Sequence, residues 1–233
     1  MKNIFLVDVD DTILDFHGVS ADAFRAACLE NGVAWSEALQ RQYWVFNVSL
    51  WEALERKELT REELMRERFV RFFQKLGLHD ADGYAVNRSY IAYISNHPRY
   101  LPGAEDFLRK LSQAGRIFFV TNGTEDIQKS RFDIVGLWEK AENTFISQRI
   151  GYDKPAKAYT AYVFSHIPDF RREQAVWIGD SLSADMRAAR EAEVTGIWFN
   201  PQGKANTSGV QPDYEASSFE EILEILGKFT QNP

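Results

Sequence analysis

Near its start the chain runs Ile4-Phe5-Leu6-Val7-Asp8-Val9-Asp10-Asp11-Thr12, four apolar residues passing directly into three carboxylates within four positions. A short, unbroken apolar run predicts a strand buried on both faces, as in a parallel sheet. Aspartates crowded at the end of such a strand repel one another and resist removal from water. A divalent cation among them relieves the conflict, and carboxylate oxygens are the ligands Mg²⁺ favours. Taken alone, the stretch is as readily a strand followed by an aspartate-rich turn, so the later strand ends decide between the two.

After Thr12 the pattern changes. From about Val19 to Asn96 it is helical and holds no convincing strand. Ala21 to Leu29 is rich in helix formers, and Asn31-Gly32 supplies a stop. A second helical stretch runs from Glu37 through Phe46, Leu50, Trp51 and Leu54. A third opens on Thr60-Arg61-Glu62-Glu63, a capping box with Thr60 as N-cap, and continues to Gly77. A fourth spans about Tyr84 to Ser95. Four helices with short connections predict a small bundle.

From Pro102 onward strands and helices alternate. Ile117-Phe118-Phe119-Val120, a weaker run from Thr144 to Ser147, Ala175-Val176-Trp177-Ile178 and Gly196-Ile197-Trp198-Phe199 read as strands. Helices are expected from Pro102 to Gly115, up to Gly136, from Tyr159 to Phe164, from Ala184 to Ala192 and from Phe219 to Lys228. Gln202 to Pro212 reads as a surface loop. This rhythm predicts an α/β fold with right-handed crossovers, and the first strand belongs to it. The expected organisation is a Rossmann-like parallel-sheet core over residues 1–15 and 98–233, with an α-helical cap inserted over residues 16–97. A length of 233 residues suits one large domain plus an insertion.

Charge and cysteine usage exclude several function classes. The net charge of −7, with no long basic run, disfavours binding to a nucleic-acid polymer. The single cysteine, Cys28, lies in a helical pattern and builds neither a disulfide framework nor a cysteine zinc site. No apolar stretch approaches the ~20 residues of a membrane span, and the first apolar run is too short for a secretion signal. The cytoplasm is the default compartment.

Ligands of an open parallel sheet sit beyond the carboxyl ends of its strands, where this sequence repeatedly places reactive groups. Asp8 and Asp10 follow the first strand, and Thr121-Asn122-Gly123 follows the second. Lys154 comes after the third, and Asp180 follows the fourth with Asp185 five positions on. Each has a plain structural explanation on its own. Thr121 and Asp180-Ser181 are acceptable helix caps, Lys154 a solvated lysine, and Asp185 a favourable charge in a first turn. Together, in this order, they read as phosphoryl-transfer chemistry. One carboxylate attacks, a second handles the proton, a hydroxyl and backbone N–H groups hold phosphate oxygens, and a lysine and Mg²⁺ neutralise the charge.

These residues resemble the four motifs of the haloacid-dehalogenase superfamily: Asp8-Val9-Asp10-Asp11-Thr12, Thr121-Asn122-Gly123, Lys154-Pro155, and Gly179-Asp180-Ser181-Leu182-Ser183-Ala184-Asp185. The resemblance covers essentially the whole chain. It implies Asp8 as nucleophile, Asp10 as acid and base, and Thr121 and Lys154 on the phosphate with the Asn122-Gly123 turn. It also implies Mg²⁺ held by Asp8, the Asp10 carbonyl and Asp180, with Asp185 in support. The dehalogenases of the superfamily lack the second carboxylate, so Asp10 points to phosphatase or phosphomutase chemistry. Asn47-Val48-Ser49-Leu50-Trp51, Leu59-Thr60, Arg68-Phe69, Gly151-Tyr152-Asp153-Lys154-Pro155 and Trp198-Phe199-Asn200-Pro201 look like the bacterial pyrimidine 5′-nucleotidase branch. That branch implies a nucleoside monophosphate substrate met by Asn47, Trp51 and Arg68. Burial in the bundle is the competing account of these three. The alternatives are a phosphatase of phosphoglycolate or a sugar phosphate, a phosphomutase, or a silent phosphate-binding module. The expected partner is a small-molecule phosphomonoester, and the expected assembly a monomer or weak dimer.

Overall fold

The computed structural model describes residues 3–230. Packing divides the chain into two compact units, Met1–Asp15 with Arg99–Pro233, and Phe16–Pro98.

The first unit is built on a six-stranded, wholly parallel sheet. Its strands are β1 (Asn3–Val7), β2 (Gly115–Thr121), β3 (Asn143–Ile146), β4 (Ala175–Gly179), β5 (Thr195–Phe199) and β6 (Tyr214–Ala216), in the order β3-β2-β1-β4-β5-β6. β1 therefore lies at the centre, between β2 and β4. The pleat explains why its sequence is apolar throughout. Phe5 and Val7 enter a core with Phe107, Leu111, Phe132 and Ile222. Ile4 and Leu6 enter a second core with Tyr159, Val163, Trp177 and Ala188. Successive side chains point to opposite faces, and here both faces are covered.

Ten helices complete the chain among the described residues: α1 (Phe16–Glu30), α2 (Glu37–Glu55), α3 (Arg61–Lys75), α4 (Gly83–Asn96), α5 (Ala104–Ala114), α6 (Glu125–Val135), the single turn α7 (Ser147–Ile150), α8 (Lys157–Ser165), α9 (Arg187–Glu191) and α10 (Phe219–Thr230). The fold class is the expected α/β one. Two local features differ from the sequence expectation. The helix expected from Ala184 begins instead as a π turn over Leu182–Met186 and only then becomes α9. The three-residue strand β6 lies just past the expected Gln202–Pro212 loop and had no counterpart in the sequence expectation; it pairs with β5, and Asp213 just before it accepts the Gly196 N–H at 2.7 Å.

The sheet unit is interrupted after Asp15 and resumes at Arg99. Where the chain leaves and returns, the two segments are tied together. Asp15 N–H donates to the Arg99 carbonyl at 3.0 Å, Leu101 N–H to the Ile13 carbonyl at 2.9 Å, and the Arg99 guanidinium reaches the Asp15 carboxylate at 2.7 Å.

The second unit, α1 to α4, packs around aromatic rings. Tyr43 stacks on Phe24 and on Phe69, with centroids 4.5 and 4.6 Å apart, and Tyr90 meets Phe69 edge-on at 5.1 Å. The capping box at Thr60 is present: Glu63 N–H donates to Thr60 Oγ1 at 3.2 Å, and Thr60 N–H to Glu63 Oε2 at 2.7 Å. Among the described residues no helix is long and apolar enough to cross a membrane.

Candidate active site

β1 delivers Asp8. Its N–H extends the ladder to the Ile178 carbonyl at 2.9 Å, so the backbone is fixed one residue beyond the strand. The chain then turns sharply. Ile13 and Leu14 N–H both donate to the Val9 carbonyl, and Asp11 takes a left-handed φ of 57°, a conformation aspartate tolerates better than most residues. Asp8 is left almost wholly buried, with Thr12 Oγ1 donating to its Oδ2 at 3.2 Å.

Lys154 meets it from the segment before α8. Its Nζ donates to Asp8 Oδ1 at 2.5 Å, Asp185 Oδ1 at 2.7 Å and the Val120 carbonyl at 2.9 Å, which uses all three ammonium protons. Its backbone is clamped by Asn122, whose Oδ1 accepts the Lys154 N–H at 2.8 Å and whose Nδ2 donates to the Lys154 carbonyl at 3.0 Å. The second motif thus positions the third.

β4 supplies the remaining acids. Trp198 Nε1 holds the Asp180 carbonyl at 2.8 Å. The π turn swings Asp185 back toward the strand, where it accepts from Trp177 Nε1 at 3.1 Å and from Ser181 N–H at 3.2 Å. Gly179 makes this possible, because any Cβ there would collide with the Asp185 carboxyl group. Asp8, Asp180 and Asp185 each offer an oxygen, all lying within 4.8 Å of one another.

Charge follows from this crowding. Burial raises Asp8 against the pull of Lys154, with Asp185 and Asp10 adding to the rise, and brings it to about 7. Burial also pushes Asp180 well above the usual carboxylate range, and Asp11, Asp8 and Asp185 add to it. For Lys154 burial acts downward, but Asp185 and Asp8 outweigh it and hold the ammonium well above its ordinary value. Three oxygen ligands, two of them held against ionisation, form a donor set that a divalent cation fits.

Asp10 and Thr121 join through two residues that the sequence reading passed over. Gln128 Nε2 donates to Asp10 Oδ2 and to Thr121 Oγ1, both at 2.9 Å. Arg131 Nη1 lies 2.6 Å from Asp10 Oδ1. Both residues are buried on α6. Two polar residues three positions apart, flanked by the buried Ile127 and Phe132, were the available signal. Gly123 N–H donates to Thr121 Oγ1 at 3.0 Å.

Asn47, Trp51 and Arg68 belong to the helical unit. Asn47 on α2 and Arg68 on α3 are buried, while Trp51 is half-buried beside Leu50, Leu59 and Leu64, with the Arg61 guanidinium 5.6 Å over its ring.

A family model, haloacid dehalogenase-like hydrolase, matches residues 2–193. This chain is a haloacid dehalogenase-like hydrolase. The HAD-hydrolase YfnB of Bacillus subtilis is 35% identical over 221 residues, covering 95% of this chain and 94% of that protein. Its magnesium-bound crystal structure superposes with a TM-score of 0.88, covering 97% of this chain and 98% of that one. The pyrimidine 5′-nucleotidase PynA of Streptococcus pneumoniae is 33% identical over 96% of this chain and 94% of its own. The pyrimidine 5′-nucleotidase YjjG of Escherichia coli is 24% identical over 95% of this chain and 96% of its own. As a hydrolase of this family, the chain carries the family's Rossmann-like sheet, with its carboxylate cluster at the strand ends.

Proposed function

We propose that this hydrolase is a Mg²⁺-dependent phosphomonoesterase that works through an aspartyl-phosphate, with pyrimidine nucleoside 5′-monophosphates as substrates. The observation that carries the reading is the pairing of two carboxylates with different surroundings. Asp8 is enclosed by Lys154 and Thr12, while Asp10 is partly exposed and held from α6. A phosphatase needs both roles.

Asp8 attacks phosphorus, forming an acyl-phosphate bond as the bond to the leaving oxygen breaks. Asp10 gives its proton to that oxygen. Water then attacks phosphorus, Asp10 takes a proton from it, and inorganic phosphate leaves with the Asp8 carboxylate restored. Lys154 and the Thr121 hydroxyl hold phosphate oxygens, and the Asn122-Gly123 turn shapes that side. Asp8, the Asp10 carbonyl and Asp180 would hold Mg²⁺, with Asp185 fixing Lys154 and supporting the ligands. Bound there, the ion supplies positive charge to the phosphate and the carboxylates.

Support for a nucleoside comes from the helical unit. Arg68 is buried without a carboxylate partner, its Nη2 donating to the Met65 sulfur at 2.9 Å and its plane 5.2 Å from the Tyr90 ring. Among the described residues Arg68 Nε, Asn47 Oδ1 and Asn87 Oδ1 have no hydrogen-bond partner. Leaving such a group unpaired costs ~1–3 kcal/mol. A pyrimidine edge carries carbonyl acceptors for an arginine and, in uracil and thymine, an N–H for the Asn47 oxygen. Trp51 adds a stacking face. The names of PynA and YjjG agree with this substrate class.

The test is a phosphate-release panel with Mg²⁺ over nucleoside monophosphates, sugar phosphates and phosphoglycolate. Pyrimidine 5′-monophosphates are expected to give the highest kcat/KM, and Asn47→Ala and Trp51→Ala to lower it for the nucleotide more than for an aryl phosphate. A sugar phosphate or phosphoglycolate outperforming every nucleotide overturns the substrate reading and leaves the phosphatase chemistry standing.

A further inference from the structure

We propose that Gln128 and Arg131, on α6, are positioning residues that aim the Asp10 carboxylate and orient the Thr121 hydroxyl as one unit. The inference rests on the acid–base role proposed for Asp10 and extends it to residues more than a hundred positions away in the chain.

The donor and acceptor directions are fixed by one end of the network. Arg131 can only donate. Its Nη1 lies 2.7 Å from Gln128 Oε1 and 2.6 Å from Asp10 Oδ1, so one nitrogen addresses both. With its oxygen taken by arginine, the Gln128 amide must present its NH₂ on the other side. There it donates one proton to Asp10 Oδ2 and the other to Thr121 Oγ1. Asp10 is thereby held at Oδ2 by a hydrogen bond and drawn at Oδ1 by the charge of Arg131, an ion-pair contact without hydrogen-bond geometry.

The consequence for Thr121 is equally constrained. Its hydroxyl oxygen accepts from Gln128 Nε2 at 2.9 Å and from Gly123 N–H at 3.0 Å. Two accepted bonds fill both lone pairs, so the single hydroxyl proton must be donated outward. A phosphate oxygen is the acceptor that the proposed chemistry provides. Gly123 admits this arrangement, since a Cβ at that position would run into the Gln128 side chain. Gln128 and Arg131 are 1% and 2% exposed, so the α6 side of the network is shielded from competing water. Neither side chain touches the phosphate in this scheme; each acts through Asp10 or Thr121.

The experiment compares kcat on an alkyl phosphate, whose leaving oxygen needs a proton, with kcat on p-nitrophenyl phosphate, whose leaving group does not. The alkyl-to-aryl ratio reports proton delivery and is insensitive to a general loss of folded enzyme. Asp10→Asn sets the reference fall. Gln128→Met, which keeps volume and the Arg131–Asp10 ion pair, and Arg131→Ala are each expected to lower the ratio roughly ten- to a hundredfold, a part of the ~10²–10⁴-fold that a whole general acid contributes. Arg131→Lys should restore part of it. Adding Gln128→Met to Asp10→Asn should produce no further fall in the ratio, because Gln128 acts on proton delivery only through Asp10. If Asp10→Asn lowers the ratio while Gln128→Met leaves it at the wild-type value, the positioning role is wrong and the acid–base assignment survives. If Asp10→Asn itself leaves the ratio unchanged, the acid–base assignment fails and takes the inference with it. Gln128→Met alone suffices for the decision if the Arg131 variants do not fold.

Discussion

Lys154 in the sheet unit and Arg68 in the helical unit are both buried cations, 2% and 1% exposed. Their surroundings are opposite. Every proton of the Lys154 ammonium has an oxygen acceptor, two of them carboxylates, and its backbone is clamped as well. Arg68 has a thioether, an aromatic face and the Tyr43 hydroxyl, with no carboxylate among the described residues, and its Nε has no partner there. A buried charge with complete partners is a finished structural element, whereas one without them is strained until something else binds. The sheet unit therefore holds its chemistry preassembled. Under the proposed function, the polar groups of the helical unit are the ones that await a ligand.

The largest expected effect tests the preassembled side. Asp8→Asn keeps the shape and removes the proposed nucleophile, so kcat for any phosphomonoester should fall by about a thousandfold or more, ~4 kcal/mol of barrier or above. Activity within about tenfold of wild type, ~1.4 kcal/mol, would remove Asp8 from that role. Quench-flow trapping of acid-stable phosphoprotein gives an independent reading.

Next in size is Lys154→Met. Removing the cation from three clustered carboxylates leaves buried charge unpaired, and unfolding in urea should show a loss of roughly 3–5 kcal/mol without metal. Saturating Mg²⁺ should recover part of that loss, since a bound cation neutralises the same oxygens. Equal losses with and without Mg²⁺ would show that the three acids do not share a cation.

A smaller effect concerns pH in chelated protein. Burial, opposed by Lys154, brings Asp8 to about 7, whereas an unfolded aspartate titrates near ~3.9. Between these values the folded chain binds the extra proton, so unfolding free energy falls as pH rises. The contribution of Asp8 is fully present below about pH 4 and is lost by about pH 7. The difference in urea stability between wild type and Asp8→Asn isolates it, and it should flatten when Mg²⁺ is added.

The smallest expected change in stability is at Arg68. Because its charge is unpaired, Arg68→Met should leave stability within about 1 kcal/mol of wild type, or raise it. KM for a pyrimidine nucleotide should nevertheless rise. A loss as large as that of Lys154→Met would erase the contrast and make Arg68 a structural residue.

How much was legible in the sequence follows the same division. The Asp8 cluster was readable because a strand buried on both faces has no polar positions, so its end is abrupt. Thr60 and Glu63 were readable because a capping box is local. The Gln128–Arg131 link was not, since Asp10 is brought to α6 only by the sheet order. β6 was missed because two of its three residues are exposed and its pairing is tertiary. The π turn at Leu182–Met186 was read as ordinary helix, because nothing local records that Asp185 must turn inward past Gly179.

The central position of β1 also bears on how the protein is made. The ribosome produces this strand before either of its neighbours, which begin only at Gly115 and Ala175. At about 5–20 residues per second, β1 waits roughly 5–20 s for its first neighbour and longer for its second. During that time an apolar strand without partners is open to chaperones, or to the same strand on an adjacent nascent chain. A premature stop before β4 would release a fragment in which the strand that leads into Asp8 lacks one of its two neighbours.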